Sequence, residues 1–587
     1  MKFSKALLLF LLTALTGTIW CSPAHAQSKE LTQALKTYFL NYHADGFQPK
    51  MIFSKLKACD VDEHERHIHI YGNEGFSSQA FLPQTVSKIY EDIGRILPKS
   101  YKNYKVSVYA FNEEISTLIP NIYNNDKFPE RLWNDIDYHG NPWVSNASRP
   151  VKFENGLQDR HISIWASHGR YYMNNKSRWA WQRPFLFCTT EDMFTLSIVT
   201  PFLIPMLENS GAVVFTPRER DWQTNEVIVD NDSISQGEYT EQNGREKWEK
   251  SDNNGYARKK ETYYTNENPF FDGTARRIKS VSQEKGVSTA KWCPTIPENG
   301  KYAVYVSYQN LPDNVNDAHY SVIHKGTTTN FIVNQRMGGG TWVYLGTFEF
   351  DKEKPQDNCV VLYNYSRNKG TVSADAVRFG GGMGNIARGD FGSETTSGLP
   401  RFLEGARYSV QMAGFPDSTY DVYEGVNDYS DDLNSRSRAL NYLASGSPFV
   451  PGNIGGSVPF ELSVAVHSDA GANADNSPYG TLTVHTQHND FDETHYRSGL
   501  TRMSSADFAQ IIQNTVCSDL TQTLGTTWAH REVLNRNYNE TRVPEVPSSI
   551  VETLSHQNFR DMLLGHDPNF KFLMARAIYK SVVKFIS

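Results

Sequence analysis

Hydrophobic and polar residues alternate in two short stretches near the start of the chain. Residues 67–71 and 104–111 place apolar side chains at every second position, which predicts two β-strands. Between them, residues 80–97 carry apolar side chains three or four positions apart, the spacing of an amphipathic helix. Together these elements predict a small α+β unit at the N-terminal end of the chain.

The next part of the chain shows a strand, a helix and another strand. Residues 161–166 alternate as a strand that leads directly to His168. A helix is predicted to begin at Glu191 with Thr190 as its N-cap, and residues 211–216 have the pattern of a further strand. This β-α-β order indicates a parallel sheet flanked by helices.

Helical spacing disappears after about residue 227, and short alternating strands separated by turns take its place. Clear examples are residues 301–308, 319–324, 341–350 and 359–365. This spacing is typical of an all-β sandwich. The glycine-rich run 380–384 is predicted to be a flexible linker at its exit.

Alternating α/β patterns return in the last third of the chain. Residues 436–443, 506–524 and 569–586 have helical spacing, and residues 462–466 form an apolar strand. A β-module that interrupts one α/β domain is more economical than three separate domains. The predicted fold is therefore α/β, with a mixed or parallel sheet flanked by helices, an inserted all-β sandwich and an N-terminal α+β unit. The predicted bounds are a signal peptide at 1–26, the N-terminal unit at 27–150, the first part of the α/β domain at 151–227, the insertion at 228–384 and the second part at 385–587.

The first 26 residues have the three regions of a secretory signal peptide. Lys2 and Lys5 precede an apolar run over residues 6–20, and Ala24-His25-Ala26 supplies a small-x-small cleavage pattern. Cys21 suggests a lipoprotein, but the bulky Trp20 before it disfavours that interpretation, so cleavage is expected after Ala26. The later apolar stretch 193–207 is interrupted by two prolines and is too short to span a membrane. We therefore expect an exported protein without a membrane span, in the periplasm or outside the cell.

Composition and charge narrow the range of partners. The chain has 587 residues, of which 39% are hydrophobic and 21% charged, as in ordinary globular proteins. Its formal net charge of -7 argues against a general nucleic-acid binder. The aromatic content of 13% suits proteins that handle glycans.

The cysteines that follow the signal peptide are few and scattered. They are Cys59, Cys188, Cys293, Cys359 and Cys517, with no Cys-x-x-Cys pair among them. This spacing excludes a sulfur-rich zinc ribbon and predicts mostly buried thiols. Cys293 with Cys359 is the one pairing that invites a check.

Three metal-competent side chains follow predicted strands or open a predicted helix. His168 follows the strand 161–166, Glu191 begins a helix, and His467 follows the strand 462–466. Functional sites of open α/β sheets gather at the carboxyl ends of strands. Two imidazoles and one carboxylate are sufficient to hold a catalytic zinc ion with a fourth position for water.

These residues lie in a pattern that resembles the zinc-dependent N-acetylmuramoyl-L-alanine amidases. The similar segments are residues 161–169, Glu191, 211–218, 434–439, 464–470, 543–544 and 547–558. They fall within residues 155–227 and 385–587, about half of the chain. The resemblance implies that His168, Glu191 and His467 bind zinc and that Glu552 acts as general base and acid. It also implies peptidoglycan, or a related cell-wall glycan, as the substrate.

The chain departs from the family pattern around the first and third ligands. Ser167 and Arg170 replace glycines, and Asp469 replaces a common asparagine. The stretch 170–190 is longer than expected and aromatic; its rings stack on sugar faces, fill a cavity beside the metal, or pack in the core. Those rings belong to Tyr171, Tyr172, Trp179 and Trp181.

The β-rich insertion has a resemblance of its own. Residues 291–294, 300–306, 341–346 and 373–379 resemble the golvesin or xanthan-lyase C-terminal-like β-sandwich. Such modules accompany secreted polysaccharide-active proteins, so the resemblance implies either glycan binding or a purely structural role.

The sequence thus predicts zinc-dependent hydrolysis of the amide between N-acetylmuramic acid and L-alanine. Two alternatives remain: a metallopeptidase or deacylase acting on another cell-wall glycopeptide, and a non-catalytic glycan-binding surface protein. Arg218 and Arg438 are candidates for framework or substrate contacts. A second metal site at His64, His67 and His69 is conceivable, but a solvated charged strand is the better interpretation. The oligomeric state stays open.

Overall fold

In the computed structural model of the chain, residues 29–133, 136–153, 156–232, 236–452 and 454–586 are described. The predicted signal peptide, with Cys21, lies outside them. The chain divides into two compact units. Among the described residues, the first unit contains residues 29–42, Phe53–Ser77 and Ser87–Ile115, and the second contains His43–Ile52, Ser78–Val86 and those from Ser116 onward. Among the described residues, no helix combines the length and apolar character needed to cross a bilayer.

The N-terminal region has the α+β character that its alternation predicts. Its elements are α1 (Lys29–Leu40), β1 (Leu56–Asp62), β2 (His67–Gly72), α2 (Glu74–Ser77), α3 (Pro83–Ile96), β3 (Lys105–Ala110) and β4 (Glu113–Glu114). The four strands form one sheet in chain order, in which only β2 and β3 are parallel. Ile68 and Ile70 are fully buried, whereas the side chains that alternate with them are half-buried. The two predicted strands and the predicted helix are therefore confirmed.

The chain then enters the second unit with short strands and a broken helix. The elements are β5 (Val144–Asn146), β6 (His161–Ala166), β7 (Arg170–Met173), β8 (Arg178–Trp181), α4 (Glu191–Ile198), α5 (Ile204–Asn209) and β9 (Val213–Phe215). Thr190 caps α4 as predicted, because its hydroxyl accepts the backbone N–H of Met193. A π-helical turn at Val199–Leu203 joins α4 to α5. Pro201 lies in this turn, and its missing N–H suits a break in the α-helical bonding.

The described residues of the β-rich segment form twelve strands. They are β10 (Val227–Val229), β11 (Gly237–Gln242), β12 (Glu249–Gly255), β13 (Gly273–Lys279), β14 (Thr289–Pro294), β15 (Gly300–Val306), β16 (Ala318–His324), β17 (Thr327–Val333), β18 (Val343–Phe350), β19 (Cys359–Tyr363), β20 (Thr371–Ala374) and β21 (Val377–Phe379). They form sheets in the orders β10-β21-β15-β18, β11-β14-β19-β16-β17-β5 and β12-β13-β20. Because β5 pairs with β17, a strand from before the first α/β segment belongs to a sheet of the β-rich part. Cys293 on β14 and Cys359 on β19 form a disulfide across paired strands.

The glycine-rich run after β21 is not a flexible linker, so that prediction is wrong. Its residues are largely buried, and the backbone N–H groups of Gly380 and Gly382 donate to the carbonyls of Ala303 and Gln223. A Cβ atom at Gly380 would lie 2.1 Å from the carbonyl oxygen of Asn225, and the residue has a φ of +92°. The glycines therefore allow close packing of the exit strand rather than freedom of motion.

The last third of the chain completes a second, larger α/β arrangement. Its elements are α6 (Ala406–Met412), α7 (Asp417–Tyr420), α8 (Asp428–Ala444), β22 (Phe460–Asp469), β23 (Thr481–His485), α9 (Met503–Leu524), β24 (His530–Asn535), α10 (Asn539–Arg542), β25 (Ser548–Ser555), α11 (Phe559–Gly565) and α12 (Pro568–Ile586).

One six-stranded sheet, in the order β24-β23-β25-β22-β6-β9, takes strands from both sides of the β-rich segment. The pairs β6–β9, β6–β22, β22–β25 and β23–β24 are parallel, and β23–β25 is antiparallel. The sheet is thus mixed, one of the two predicted arrangements. Strands β6 and β22 are fully apolar at alternate positions, and Ile162, Ile164, Val464 and Val466 share a core cluster with Phe508 of α9.

A buried histidine at the start of β6 predicts acid sensitivity. Nε2 of His161 accepts the backbone N–H of Trp143, and burial, with Arg160 nearby, lowers the pKa of His161 to about 3. His161 therefore binds a proton in the unfolded chain at pH values where it stays neutral in the folded chain. The free energy of unfolding falls as the pH drops below about 6.5. The expected loss is about 2 kcal/mol between pH 6.5 and pH 5.

Denaturant unfolding of the full chain at several pH values measures this loss. His161→Gln keeps an acceptor but cannot titrate, so it should flatten the slope between pH 6.5 and 5. The exposed His139 supplies the matched control His139→Gln, which should leave the slope unchanged. If the free energy of unfolding of His161→Gln depended on pH as steeply as that of the wild type, His161 would not be the cause of the acid sensitivity.

Candidate metal centre

The predicted ligands lie together at one edge of the six-stranded sheet. Strands β6 and β22 are parallel and pair Ala166 with Val466, so the residues that follow, His168 and His467, reach the same edge. Glu191 is the first residue of α4, where the helix N-terminus favours a carboxylate. All three side chains are buried.

The donor atoms of these residues are close enough to bind one ion. Donor atoms of His168, Glu191 and His467 all lie within 4.8 Å of one another. Oε1 of Glu191 is 3.5 Å from Nε2 of His168 and 3.0 Å from Nδ1 of His467. Two donors bound tetrahedrally to zinc at about 2.0–2.1 Å would be about 3.4 Å apart. The three residues therefore fit a small divalent ion in both donor type and spacing.

The two histidines experience opposite electrostatic surroundings. Burial and the guanidinium of Arg436, whose Nη2 is 3.2 Å from Nδ1 of His168, hold the pKa of His168 well below its ordinary value. Burial also opposes ionisation of His467, but the carboxylates of Glu540 and Glu191 raise the pKa of His467 to about 10. These surroundings thus favour the neutral form of His168 and the charged form of His467, which lies between two carboxylates.

Glu552 lies beside the cluster on the neighbouring strand. Strands β22 and β25 are parallel, and Glu552 pairs in register with His467. Oε2 of Glu552 is buried and has no hydrogen-bond partner. Burial, with the nearby carboxylates of Glu191 and Asp469, raises the pKa of Glu552 to about 8. A carboxyl group with this pKa can both accept and donate a proton near neutral pH.

Three charged residues at the site were missed by the sequence analysis. Oε2 of Glu540 lies 2.9 Å from Nε2 of His467, an ion pair in which the N–H is not aligned with the oxygen. Arg436 pairs with Glu540 at 3.0 Å and with Asp432, one helical turn earlier on α8. The (i, i+4) spacing of Asp432 and Arg436 was visible in the sequence. Nothing in the sequence linked Glu540, on the four-residue helix α10, to His467.

The two arginines named as candidates from the sequence lie in different places. Arg218 is buried and donates to the backbone carbonyls of Glu404 and Phe402, so it acts as framework. Arg438 is exposed and donates to the carbonyl of Ser418. The arginine of α8 that contacts the predicted ligands is Arg436.

The aromatic segment after His168 forms the hairpin β7–β8 and packs mainly inward. Tyr171 and Tyr172 are buried, and the ring centroids of Trp179 and Tyr408 are 4.9 Å apart. Core packing thus describes the two tyrosine rings. Trp179 and Trp181 stay half-buried, and the guanidinium of Arg170 lies over the face of Trp181.

Two positions next to the predicted ligands, Gly169 and Asp469, also have structural constraints. A Cβ atom at Gly169 would lie 2.4 Å from the backbone of Glu404, so the turn after His168 requires glycine. Asp469 pairs with Arg531 at 2.6 Å.

The histidines of the N-terminal strand do not form a metal cluster. Nε2 of His67 and Nδ1 of His69 bond to Ser107 and Tyr109, respectively. His64 lies exposed beside Glu65. In the part of the chain that the structure describes, His168, Glu191 and His467 are the one cluster with metal-binding geometry.

The β-rich part of the chain has a recognisable sequence family. Residues 227–381 match the Golvesin C-terminal domain family. Xanthan lyase of Bacillus sp. (strain GL1) is 33% identical over 97 residues, which are 16% of this chain and 10% of that protein. The golvesin resemblance predicted for this segment is thereby confirmed, and the chain spans only a tenth of this curated relative.

Several solved structures are similar to a fraction of the chain. The structure of Paenibacillus xanthan lyase matches with a TM-score of 0.19 and 24% identity, over 26% of this chain and 13% of that one. The N-acetylmuramoyl-L-alanine amidase AmiC2 of Nostoc punctiforme matches with a TM-score of 0.17 and 16% identity, over 22% of this chain and 59% of that one. The CwlD amidase from Clostridioides difficile, in complex with the GerS lipoprotein, matches with a TM-score of 0.19 and 16% identity, over 27% of this chain and 64% of that one.

Proposed function

We propose that the chain is an exported zinc-dependent hydrolase that cleaves the amide between N-acetylmuramic acid and L-alanine in peptidoglycan. The observation that carries the proposal is the meeting of His168, Glu191 and His467 at the sheet edge where Glu552 lies in register with His467. Two imidazoles, one carboxylate and an adjacent unpaired carboxyl are the groups that metal-assisted amide hydrolysis requires.

His168, Glu191 and His467 would hold the zinc ion. Zinc held there supplies a Lewis acid that activates water and polarises a carbonyl group. Burial and Arg436 lower the pKa of His168, which suits metal binding because an imidazolium cannot ligate. Burial of the three side chains keeps the site dry enough for strong electrostatic interactions.

Glu552 would move the proton during hydrolysis. Its unpartnered Oε2 can accept a proton from the attacking water and return it to the amide nitrogen as that bond breaks. The return step matters because an amine is a poor leaving group unless its nitrogen is protonated. The raised pKa of Glu552 keeps the carboxyl able to donate near neutral pH.

Digestion of purified peptidoglycan by the mature chain, with mass spectrometry of the products, tests the proposal. The expected products are stem peptides with free L-alanine amino ends. A chelator should abolish their release, and added zinc should restore it. Glu191→Gln should lower the rate by ~100-fold or more because a ligand is lost. The matched control is Glu208→Gln on α5, where the carboxylate pairs with Arg220.

The other outcomes separate the alternatives. A zinc-dependent cut at another bond would indicate a metallopeptidase or deacylase on the same scaffold. Binding to peptidoglycan with neither zinc nor products would indicate a non-catalytic glycan-binding protein.

A groove on the β-sandwich supports a second, accessory function in glycan binding. It has a volume of about 430 Å³ and is lined by the rings of His319, Tyr363 and Tyr365 together with polar Ser321 and Asn330. Aromatic faces beside polar groups suit sugar rings. Tyr365→Ala should weaken retention of the chain on insoluble glycan without changing the rate of amide cleavage.

A further inference from the structure

The imidazole of His467 lies between two buried carboxylates. Nδ1 is 3.0 Å from Oε1 of Glu191, and Nε2 is 2.9 Å from Oε2 of Glu540. The two nitrogens of one ring therefore face different acids. Nδ1 is the nitrogen that faces Glu191, which belongs with His467 to the cluster that fits a metal ion.

Glu540 itself is held by several contacts. Its Oε1 accepts hydrogen bonds from the indole Nε1 of Trp165 and from Nη1 of Arg436, the latter at 3.0 Å. Its side chain is almost fully buried. Both oxygens are thus engaged, and Glu540 does not belong to the group of donors that could hold an ion.

The ion pair of Glu540 and Arg436 touches both histidines of the cluster. Arg436 reaches Nδ1 of His168 with its Nη2, while Glu540 reaches Nε2 of His467. Burial of a carboxylate is costly unless its charge is paired, and Glu540 is paired with both Arg436 and His467. Carboxylates that contact the free nitrogen of a ligating histidine fix its tautomer and orientation.

We propose that Glu540 is a positioning residue whose ion pair with Nε2 of His467 keeps the ring proton on Nε2 and leaves Nδ1 for the metal. The inference rests on the proposed function, because it assigns the order of the two ring nitrogens around the zinc that the site would bind. Glu540 acts through His467 and does not touch the substrate.

The expected effect is a loss of zinc affinity without loss of fold. Glu540→Gln keeps the size of the side chain but removes the charge that selects the Nε2–H tautomer. Zinc affinity, measured by competition with a chromophoric chelator on the full mature chain, should fall about 10- to 100-fold. At saturating zinc, kcat should recover more than half of its wild-type value, with KM for peptidoglycan fragments unchanged.

Glu461 supplies a matched control on the strand that carries His467. It is buried near the start of β22 and pairs with Arg160 at 2.8 Å. Glu461→Gln makes the same chemical change at the opposite end of the strand, so it should alter stability without altering zinc affinity. Equal zinc affinities of Glu540→Gln and the wild type would overturn the positioning role.

A second measurement reads the ring nitrogens of the wild-type chain directly and uses a variant at the site for assignment alone. Nitrogen-15 chemical shifts of the zinc-loaded wild-type chain, assigned to His467 by comparison with His467→Gln, report which ring nitrogen carries the proton. A protonated Nε2 supports the inference, and a protonated Nδ1 contradicts it. A wild-type chain that binds no zinc would instead contradict the proposed function, so the two failures are distinguishable.

Discussion

Glu552→Gln is expected to lower kcat for cleavage of the muramoyl–alanine amide by about 10²- to 10⁴-fold, the usual contribution of a general acid–base group. The glutamine keeps the shape of the side chain but can neither accept the proton of the attacking water nor return it to the leaving nitrogen. Zinc content should not change, because Glu552 lies on β25, outside the three-residue donor cluster.

The size of the effect follows from the surroundings of the carboxyl group. Its Oε2 is buried without a partner, so no neighbouring donor can replace its role in proton transfer. Burial next to Glu191 and Asp469 raises the pKa of Glu552 to about 8. The substitution also removes a buried acid, so the folded chain should lose no stability on that account.

Single-turnover and steady-state rates on a defined muramoyl-peptide, with zinc measured in the same samples, test the prediction. Glu545→Gln is the matched control, since Glu545 lies just before β25 and pairs loosely with Arg497. A rate within tenfold of the wild type for Glu552→Gln would exclude Glu552 as the proton carrier. Loss of zinc in that variant would instead show that Glu552 helps to hold the metal.

The elements that position the three predicted ligands could be predicted from local pattern. The strand at residues 161–166 and the cap at Thr190 follow from alternation and from capping chemistry. His467 was predicted to follow its strand, whereas β22 continues through it to Asp469. Parallel strands then bring His168 and His467 to one edge.

The charged contacts around these ligands could not be predicted in the same way. Glu540 comes from a short helix between β24 and β25, and the crossed order of those strands in the sheet brings it to His467. The hydrophobic periodicity of the sequence does not show the order of these strands in the sheet. The prediction of a flexible linker at residues 380–384 was wrong because glycine permits both flexible linkers and close packing. Only the neighbouring backbone of Asn225 decides between them.

A buried carboxylate at the start of α8 carries the largest predicted effect on stability. Asp428 is fully buried, and its Oδ2 accepts hydrogen bonds from Nε of Arg388 at 2.9 Å and from the hydroxyl of Tyr408 at 2.6 Å. Arg407 lies 3.8 Å away and is also fully buried. One carboxylate thus balances much of the charge of two buried guanidinium groups.

Asp428→Asn is expected to destabilise the chain by about 3–5 kcal/mol, because it leaves buried positive charge without its partner. Denaturant unfolding followed by tryptophan fluorescence measures the change. Asp417→Asn, at the exposed first residue of α7, should change stability by less than about 0.5 kcal/mol. A loss below about 1 kcal/mol in Asp428→Asn would mean that Asp421 and Asp431, which also lie near Arg407, compensate for the missing charge. Helix α8 begins at Asp428 and carries Arg436 two turns later. If Asp428→Asn destabilises the chain by the expected amount, it should also weaken zinc binding by the molecules that remain folded. That result would link this charge cluster to the metal site.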